Sequence, residues 1–191
     1  MQHNSFNTQP TFFQKLKNFD YILLICILLL GLISALAMYS TDGGEILFHS
    51  KSHISKFLIF FIMMIFLSFL NIKFWHTSAY FLYVVILFFL VWASLYGVKA
   101  SGSQRWINLY FINLQPSELM KIAIIACLAK YYHRIQLNQI DTFQTIFIAL
   151  AILFMPIMLV ITQPDLGTSI LIALSGLVVI WLAGMNIKYF I

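Results

Sequence analysis

Long apolar runs separated by short polar segments make up most of this chain. The run from Tyr21 to Tyr39 is 19 residues long and contains no Asp, Glu, Lys, Arg or His. As a helix rising about 1.5 Å per residue it would span about 28 Å, close to the roughly 30 Å hydrocarbon core of a bilayer. Similar runs recur at about Ile54–Ile72, Ala79–Val98, Pro116–Tyr132, Phe143–Thr162 and Leu166–Ile187. The pattern predicts an all-α, polytopic transmembrane bundle of about six spans.

The composition agrees with a membrane protein. Hydrophobic residues make up 62% of the 191 residues and charged residues only 9%, whereas about a quarter of a soluble domain is charged. We expect a polar cytoplasmic tail over residues 1–19, disordered up to Lys15 and Lys17, and a membrane domain over residues 20–191. The basic pair and the apolar run after it resemble a cleavable signal peptide. The length of the run and the five later spans favour an uncleaved first span.

The net charge of +5 is spread over single basic residues. No Lys/Arg cluster is available to follow a phosphate backbone, so we expect no nucleic-acid partner. Basic residues bear instead on orientation, because the cytoplasmic segments of membrane proteins are enriched in them. With the N-terminus inside, six basic residues lie in inner segments and four in outer ones, namely Lys15, Lys17, Lys73, Lys130, Arg134 and Lys188 against Lys51, Lys56, Lys99 and Arg105. This small excess favours a cytoplasmic N-terminus.

Two Gln-Pro motifs stand where polar segments meet apolar runs. Gln115-Pro116-Ser117-Glu118 opens the fourth run, and Gln163-Pro164-Asp165-Leu166-Gly167-Thr168 opens the sixth. Proline suits the first helical position, and an acid in the first turn faces the positive end of the helix. Counting spans from a cytoplasmic N-terminus, both helices begin on the outer face. The two motifs are therefore expected to present their helix amides to the same side.

This arrangement suits an anion, above all phosphate, because helix N-termini offer free N–H donors and a partial positive charge. Arg105, beside Trp106, adds a permanently charged planar fork for phosphate oxygens. The alternative is that both motifs are only helix caps and that Arg105 is an interfacial anchor. Three such features on one face favour a binding site.

Glu118 and Lys121 lie three residues apart, so they can pair on one face of the fourth helix. Because charges inside a membrane are costly, the pair indicates either a structural link or a polar pocket open to the outer surface. The histidines show no metal-ligand spacing with a carboxylate or thiolate, and we predict no metal site.

Taken together, the motifs resemble those of the SEDS family (shape, elongation, division and sporulation proteins), most closely its RodA-like branch and next its FtsW-like branch. The resemblance runs from about Asp20 to the end of the chain and rests on Gly102-Ser103-Gln104-Arg105-Trp106, on Gln115-Pro116-Ser117-Glu118 with Lys121, and on the motif from Gln163 to Thr168. It implies a glycosyltransferase of the bacterial inner membrane that polymerises the undecaprenyl-linked disaccharide-pentapeptide precursor of peptidoglycan. A class B penicillin-binding transpeptidase is the implied partner. No cofactor is predicted, although a divalent cation bound to the substrate pyrophosphate stays open.

The motifs and the resemblance define a substrate cavity but no catalytic residue. Its expected members are Arg105, Trp106, Gln115, Ser117, Glu118, Lys121, Gln163 and Asp165. Arg105 would contact the pyrophosphate, and Glu118 and Lys121 would form a polar wall.

The chain departs from the family in one respect. In the family, the aspartate regarded as catalytic lies within a Pro-Glu-x-His-Thr-Asp-Phe motif, in a large outer loop after the seventh span, and this sequence lacks that motif. The resemblance therefore implies an N-terminal portion, either a fragment or split product or a protein that is no polymerase by itself. Two other classes stay open. A transporter or lipid flippase would also fit the intramembrane charges and the proline-broken fifth span at Pro156, and a membrane scaffold would need no catalysis.

Overall fold

The computed structural model describes residues 12–100, 103–109, 113–186 and 188. Within them the helices are α1 Phe12–Lys17, α2 Tyr21–Thr41, α3 Phe48–Ser68, α4 Ile72–Tyr96, α5 Pro116–His133, α6 Phe143–Thr162 and α7 Leu166–Leu182. Three short strands, β1 Val98–Ala100, β2 Ser103–Asn108 and β3 Asn113–Leu114, lie between α4 and α5, and a 3-10 turn covers Leu137–Gln139.

The predicted polytopic helical bundle is confirmed. Helices α2, α3, α4 and α6 are long and apolar enough to cross a membrane. Helix α7 is apolar but has 17 residues. Helix α5 has 18 residues and carries Glu118, Lys121 and Lys130, so it is more polar than the others. Pro156 lies buried inside α6, which is continuous from Phe143 to Thr162.

Several predicted span boundaries are wrong, because the helices extend into polar sequence. Helix α3 begins at Phe48 rather than Ile54. Its first turn is capped by the side chain of a residue that precedes the helix, Asp42. The Asp42 carboxylate accepts hydrogen bonds from the Ser50 hydroxyl and, at 2.7 Å, from the Ser50 amide. These two hydrogen bonds hold the pKa of Asp42 below its usual value, and the bond from the Ser50 hydroxyl has the larger effect. Helix α4 begins at Ile72 instead of Ala79, so residues 72–78 are helical as well.

The chain divides into two compact units, residues 1–72 and 73–191. In the first unit α2 and α3 pack together, and Gly31 permits their close approach, because a Cβ there would lie 2.2 Å from the Phe57 ring. Part of the tail expected to be disordered forms α1. Its Lys15 donates hydrogen bonds to the Phe69 carbonyl and to the Asn71 side chain. The domain boundary at residues 19 and 20 stays a prediction.

In the second unit α7 packs against both α5 and α6. The core consists of fully buried side chains from these helices and α4, among them Leu90, Met120, Ile124, Leu128, Ile172 and Ile180. A Cβ on Gly176 of α7 would lie 2.4 Å from a methyl carbon of Leu153 on α6. Small residues allow such approaches between membrane helices.

Between α4 and α5, where no apolar run was predicted, the chain forms a three-stranded antiparallel sheet in the order β1-β2-β3. Val98 pairs with Trp106, and Ile107 pairs with Leu114. The chain leaves α4 at Gly97, where a Cβ would lie 2.3 Å from the carbonyl oxygen of Ala93. The sheet brings β2 against α5.

Candidate functional site

Arg105 on β2 reaches the beginning of α7. Its Nη1 atom lies 3.0 Å from Oδ2 of Asp165, and the two side chains are 26% and 9% exposed. The predicted convergence of the Arg-Trp segment and the second Gln-Pro motif at one end of the helices is therefore present. A mostly buried ion pair holds them together.

Asp165 links three elements through one carboxylate. It is the N-cap of α7, where Oδ1 accepts a hydrogen bond from the Thr168 amide at 3.2 Å. Its Oδ2 atom accepts a second hydrogen bond, at 3.0 Å, from Nε2 of Gln115 at the start of α5. Together with Arg105, these contacts join β2, α5 and α7 around a single side chain.

The environment of Asp165 favours its charged form. Burial by itself raises the pKa of the carboxyl group, but the hydrogen bonds from Thr168 and the charge and hydrogen bond of Arg105 outweigh it. The pKa is consequently lower than the usual aspartate value. Asp165 is therefore ionised at neutral pH and holds the guanidinium group of Arg105 in one orientation.

The two Gln-Pro motifs begin their helices differently. In the first, Gln115 is the N-cap and Pro116 the first helical residue, as predicted. In the second, the helix begins at Leu166, and Asp165 replaces the expected Gln163 as the residue beside the helix start. The reason is chemical, because an aspartate side chain accepts from first-turn amides and is a favoured N-cap.

Gln163 forms a contact between helices instead of facing an open cavity. Its side chain is 3% exposed, and Nε2 donates a hydrogen bond to the Leu90 carbonyl of α4 at 3.0 Å. The bond fixes the turn between α6 and α7 against α4. Its expected part in substrate binding stays a prediction.

Two buried polar atoms at this end have no hydrogen-bond partner among the described residues. They are Nε of Arg105 and the hydroxyl oxygen of Ser117, a residue that is 1% exposed. Buried polar groups without partners cost free energy, and each such group calls for an explanation. Both can donate a hydrogen bond to an oxygen of a bound ligand.

The predicted pair on α5 is present. Nζ of Lys121 lies 2.8 Å from Oε2 of Glu118, and the side chains are 23% and 55% exposed, respectively. An exposed pair of this kind adds little stability. Both charges remain accessible from outside the helix bundle.

The family of the chain follows from comparison with known proteins. The family model for FtsW, RodA and SpoVE, described as "Cell cycle protein", matches residues 14–191. The chain belongs to this family. It is a multi-pass membrane protein, as the apolar helices require.

Several curated proteins of this family are similar to the chain. The peptidoglycan glycosyltransferase MrdB of Escherichia coli is 34% identical over 178 residues, which are 93% of this chain and 47% of that protein. Stage V sporulation protein E of Bacillus subtilis is 34% identical over 182 residues, 90% of this chain and 50% of that protein. The chain thus spans about half the length of the curated relatives it matches.

Solved structures of the family share the fold. A point variant of the rod shape determining protein RodA of Thermus thermophilus gives a TM-score of 0.76 at 20% identity, covering 90% of this chain and 56% of that one. A chain from a study of polymerization and crosslinking by a peptidoglycan synthase complex gives 0.76 at 21% identity, covering 87% and 48%.

Within this family fold, the candidate residues separate into three groups. Asp165 contacts both Arg105 and Gln115, and Trp106 follows Arg105 on β2. Ser117, Glu118 and Lys121 occupy the first turns of α5, whereas Gln163 contacts α4. Thr168, whose amide bonds to Asp165, was not among the predicted site residues, although an aspartate three residues before a helical amide is an N-cap signal.

Proposed function

We propose that this chain supplies the part of a RodA-like peptidoglycan glycosyltransferase that holds the diphosphate of the undecaprenyl-linked disaccharide-pentapeptide precursor. The observation that carries the proposal is the contact of Asp165, at the beginning of α7, with both Arg105 of β2 and Gln115 at the beginning of α5. Relatives named as peptidoglycan glycosyltransferases support it.

Transfer of a sugar from a lipid diphosphate leaves negative charge on the departing diphosphate. Fixed donors aimed at developing charge are among the largest contributions to catalysis. Arg105 has five N–H donors. Asp165 engages the Nη1 end, and Nε has no partner among the described residues. A guanidinium fixed on one side can hold phosphate oxygens on the other without losing further freedom.

The side chains of α5 complete the proposed cavity. Lys121 adds a second positive charge, and Oε2 of Glu118, 2.8 Å from Nζ, orients that lysine. The Ser117 hydroxyl supplies a neutral donor at the helix start. These groups bind and stabilise charge, and no catalytic residue is assigned among them.

The proposal includes a location and a partner. The site lies on the outer face of the bacterial inner membrane, with the N-terminus of the chain in the cytoplasm. A class B penicillin-binding transpeptidase is the proposed partner, and the likeness to a chain from a peptidoglycan synthase complex supports this pairing.

Binding of the purified lipid-linked precursor to the full chain in phosphatidylcholine nanodiscs tests the proposal. Arg105→Ala is expected to weaken binding about tenfold or more, because a hydrogen bond to a charged group contributes about 1.5–3 kcal/mol. Lys51→Ala is the control, since Lys51 is an exposed basic residue of α3 on the same proposed side. An undiminished affinity in Arg105→Ala, or an equal loss in both variants, would contradict the proposal.

An assay of glycan-strand synthesis distinguishes an enzyme from a flippase or a scaffold. In a full-length protein carrying this segment, Arg105→Ala is expected to abolish glycan-strand synthesis while leaving membrane insertion unchanged. Movement of the precursor across vesicles without polymer would favour a flippase. Binding of a transpeptidase without either activity would favour a scaffold.

A further inference from the structure

Basic side chains that are far apart in the sequence lie together at the end of α5 opposite the Arg105 site. Lys130 is only 7% exposed. Its Nζ atom donates a hydrogen bond to the Thr77 carbonyl of α4 at 2.7 Å and lies 4.6 Å from the centre of the Tyr80 ring. The ammonium group is thus held between two helices by a carbonyl and an aromatic face.

Lys130 is a buried cation without an acidic partner in the part of the chain that the structure describes, where the ion pairs are those of Arg105 and Lys121. The one acid between α5 and α6 is Asp141, and its carboxylate accepts the Asn186 amide at 3.2 Å. A buried charge is costly unless it is paired. An anion from outside the chain would lower that cost.

Two histidines lie beside the basic side chains at this end. The rings of His76 and His133 meet edge to face with centres 5.0 Å apart. Nε2 of His76 is buried and has no hydrogen-bond partner among the described residues. Lys130, His133 and Arg134 each lie close enough to His76 to interact with it electrostatically.

Lys73 belongs to the same surface by helix geometry. It precedes His76 by three residues and Thr77 by four, so the three side chains share one face of α4. We call Lys73, His76, Lys130, His133 and Arg134 the basic end. It joins the first turns of α4 to the last turn of α5.

We propose that the basic end binds the phosphate group of an anionic membrane phospholipid. Helix α4 begins and helix α5 ends here, and a helix that crosses a bilayer ends near the headgroups. In the proposed orientation this end faces the cytoplasm, where basic pockets between membrane helices bind such headgroups. Phe74 and Trp75, adjacent on α4 with ring centres 5.9 Å apart, are aromatic residues of the kind that lie at the membrane interface. They favour a lipid over free phosphate as the source of the anion.

The proposal is independent of the substrate site. Helix α5 has 18 residues, so its two ends are about 26 Å apart at about 1.5 Å per residue. Neither site contributes a side chain to the other, and either proposal can fail alone.

Native mass spectrometry of the full chain, released from nanodiscs of mixed phosphatidylcholine and phosphatidylglycerol, tests the inference. The wild-type protein is expected to retain phosphatidylglycerol in preference to phosphatidylcholine. Arg134→Gln should reduce that preference about fivefold, the equivalent of about 1 kcal/mol for one basic residue near the surface. Lys130→Met should reduce it further by removing the buried charge.

Lys17→Gln is the matched control, because Lys17 is an exposed lysine of α1, on the same proposed side of the membrane and outside the basic end. Equal retention of the two lipids by wild-type protein would overturn the proposal, and so would an equal loss in Lys17→Gln. If Lys130→Met fails to fold, Arg134→Gln still decides, since Arg134 is exposed. If inorganic phosphate alone displaced phosphatidylglycerol, the site would bind a free anion, and the proposal of a lipid ligand would be overturned.

Discussion

Nη1 of Arg105 lies 3.0 Å from Oδ2 of Asp165, and the same oxygen of Asp165 accepts a hydrogen bond from Gln115. The other carboxylate oxygen caps α7 through the Thr168 amide. Both oxygens are therefore engaged within the protein, and a carboxylate repels a diphosphate. We infer that Asp165 positions Arg105 and that Arg105 makes the contact with the ligand.

Asp165→Asn tests this division of roles. Asparagine remains a good N-cap, so α7 keeps its capping bond while the ion pair is lost. Precursor affinity is expected to fall, because the guanidinium group is no longer fixed. A rise in affinity would show that the carboxylate only repels the ligand. Asp165→Ala should be less stable than Asp165→Asn by about 1 kcal/mol, the usual contribution of an N-cap, measured by thermal unfolding in detergent.

The ion pair has a defined pH dependence. The pKa of Asp165 in the folded protein is lower than its usual value, so its contribution to stability is fully present above the unfolded pKa of about 3.9 and is lost as the pH falls through the folded value. The stability difference between wild type and Asp165→Asn should stay constant from about pH 7 to about pH 5 and shrink below about pH 4. Unfolding curves at several pH values measure it. A difference that disappears between about pH 7 and about pH 5 would contradict the lowered pKa.

Gly176 sets the approach of α7 to its neighbours. Its Cβ position would lie 2.4 Å from one methyl carbon of Leu153 and 3.3 Å from one of Leu128. Gly176→Ala is expected to destabilise the second unit by about 1–3 kcal/mol, as overpacking of a core does. Gly167→Ala is the control in the same helix, because among the described residues no atom beyond its chain neighbours and the local helix backbone lies within 4 Å of its Cβ position. Equal thermal stability of the two variants would show that α7 is not closely packed at Gly176.

Substitution of Lys121 is expected to affect precursor binding more than protein stability. Its pair with Glu118 is partly exposed, so Lys121→Met should change the free energy of unfolding by less than about 1 kcal/mol. The same change removes a positive charge from the proposed cavity and should weaken precursor binding. Lys56→Met, at an exposed lysine of α3, serves as control. A large loss of stability in Lys121→Met with unchanged binding would assign the pair a structural role.

Features that depend on neighbouring residues were predictable from the sequence. An apolar run long enough to cross a bilayer indicates a helix, and Pro116 marks the helix start correctly. The Glu118–Lys121 pair follows from a spacing of three residues. Apolar patterning nevertheless misplaced the starts of α3 and α4, because the first turns of both helices consist partly of polar residues.

Other features depend on contacts between distant parts of the chain. Strands of two to six residues are too short to show a reliable alternation. Asp165 and Gln115, which share a hydrogen bond, are 50 positions apart in the sequence. Lys130 and Thr77 are 53 positions apart. Apolar patterning fixes which segments become helices, since burial is favourable wherever such a run occurs. Only the packing of the helices decides which polar side chains meet at the helix ends. The reason is that a charged side chain there pairs with whichever group the fold brings within a few ångströms, and that group can be far away in the sequence.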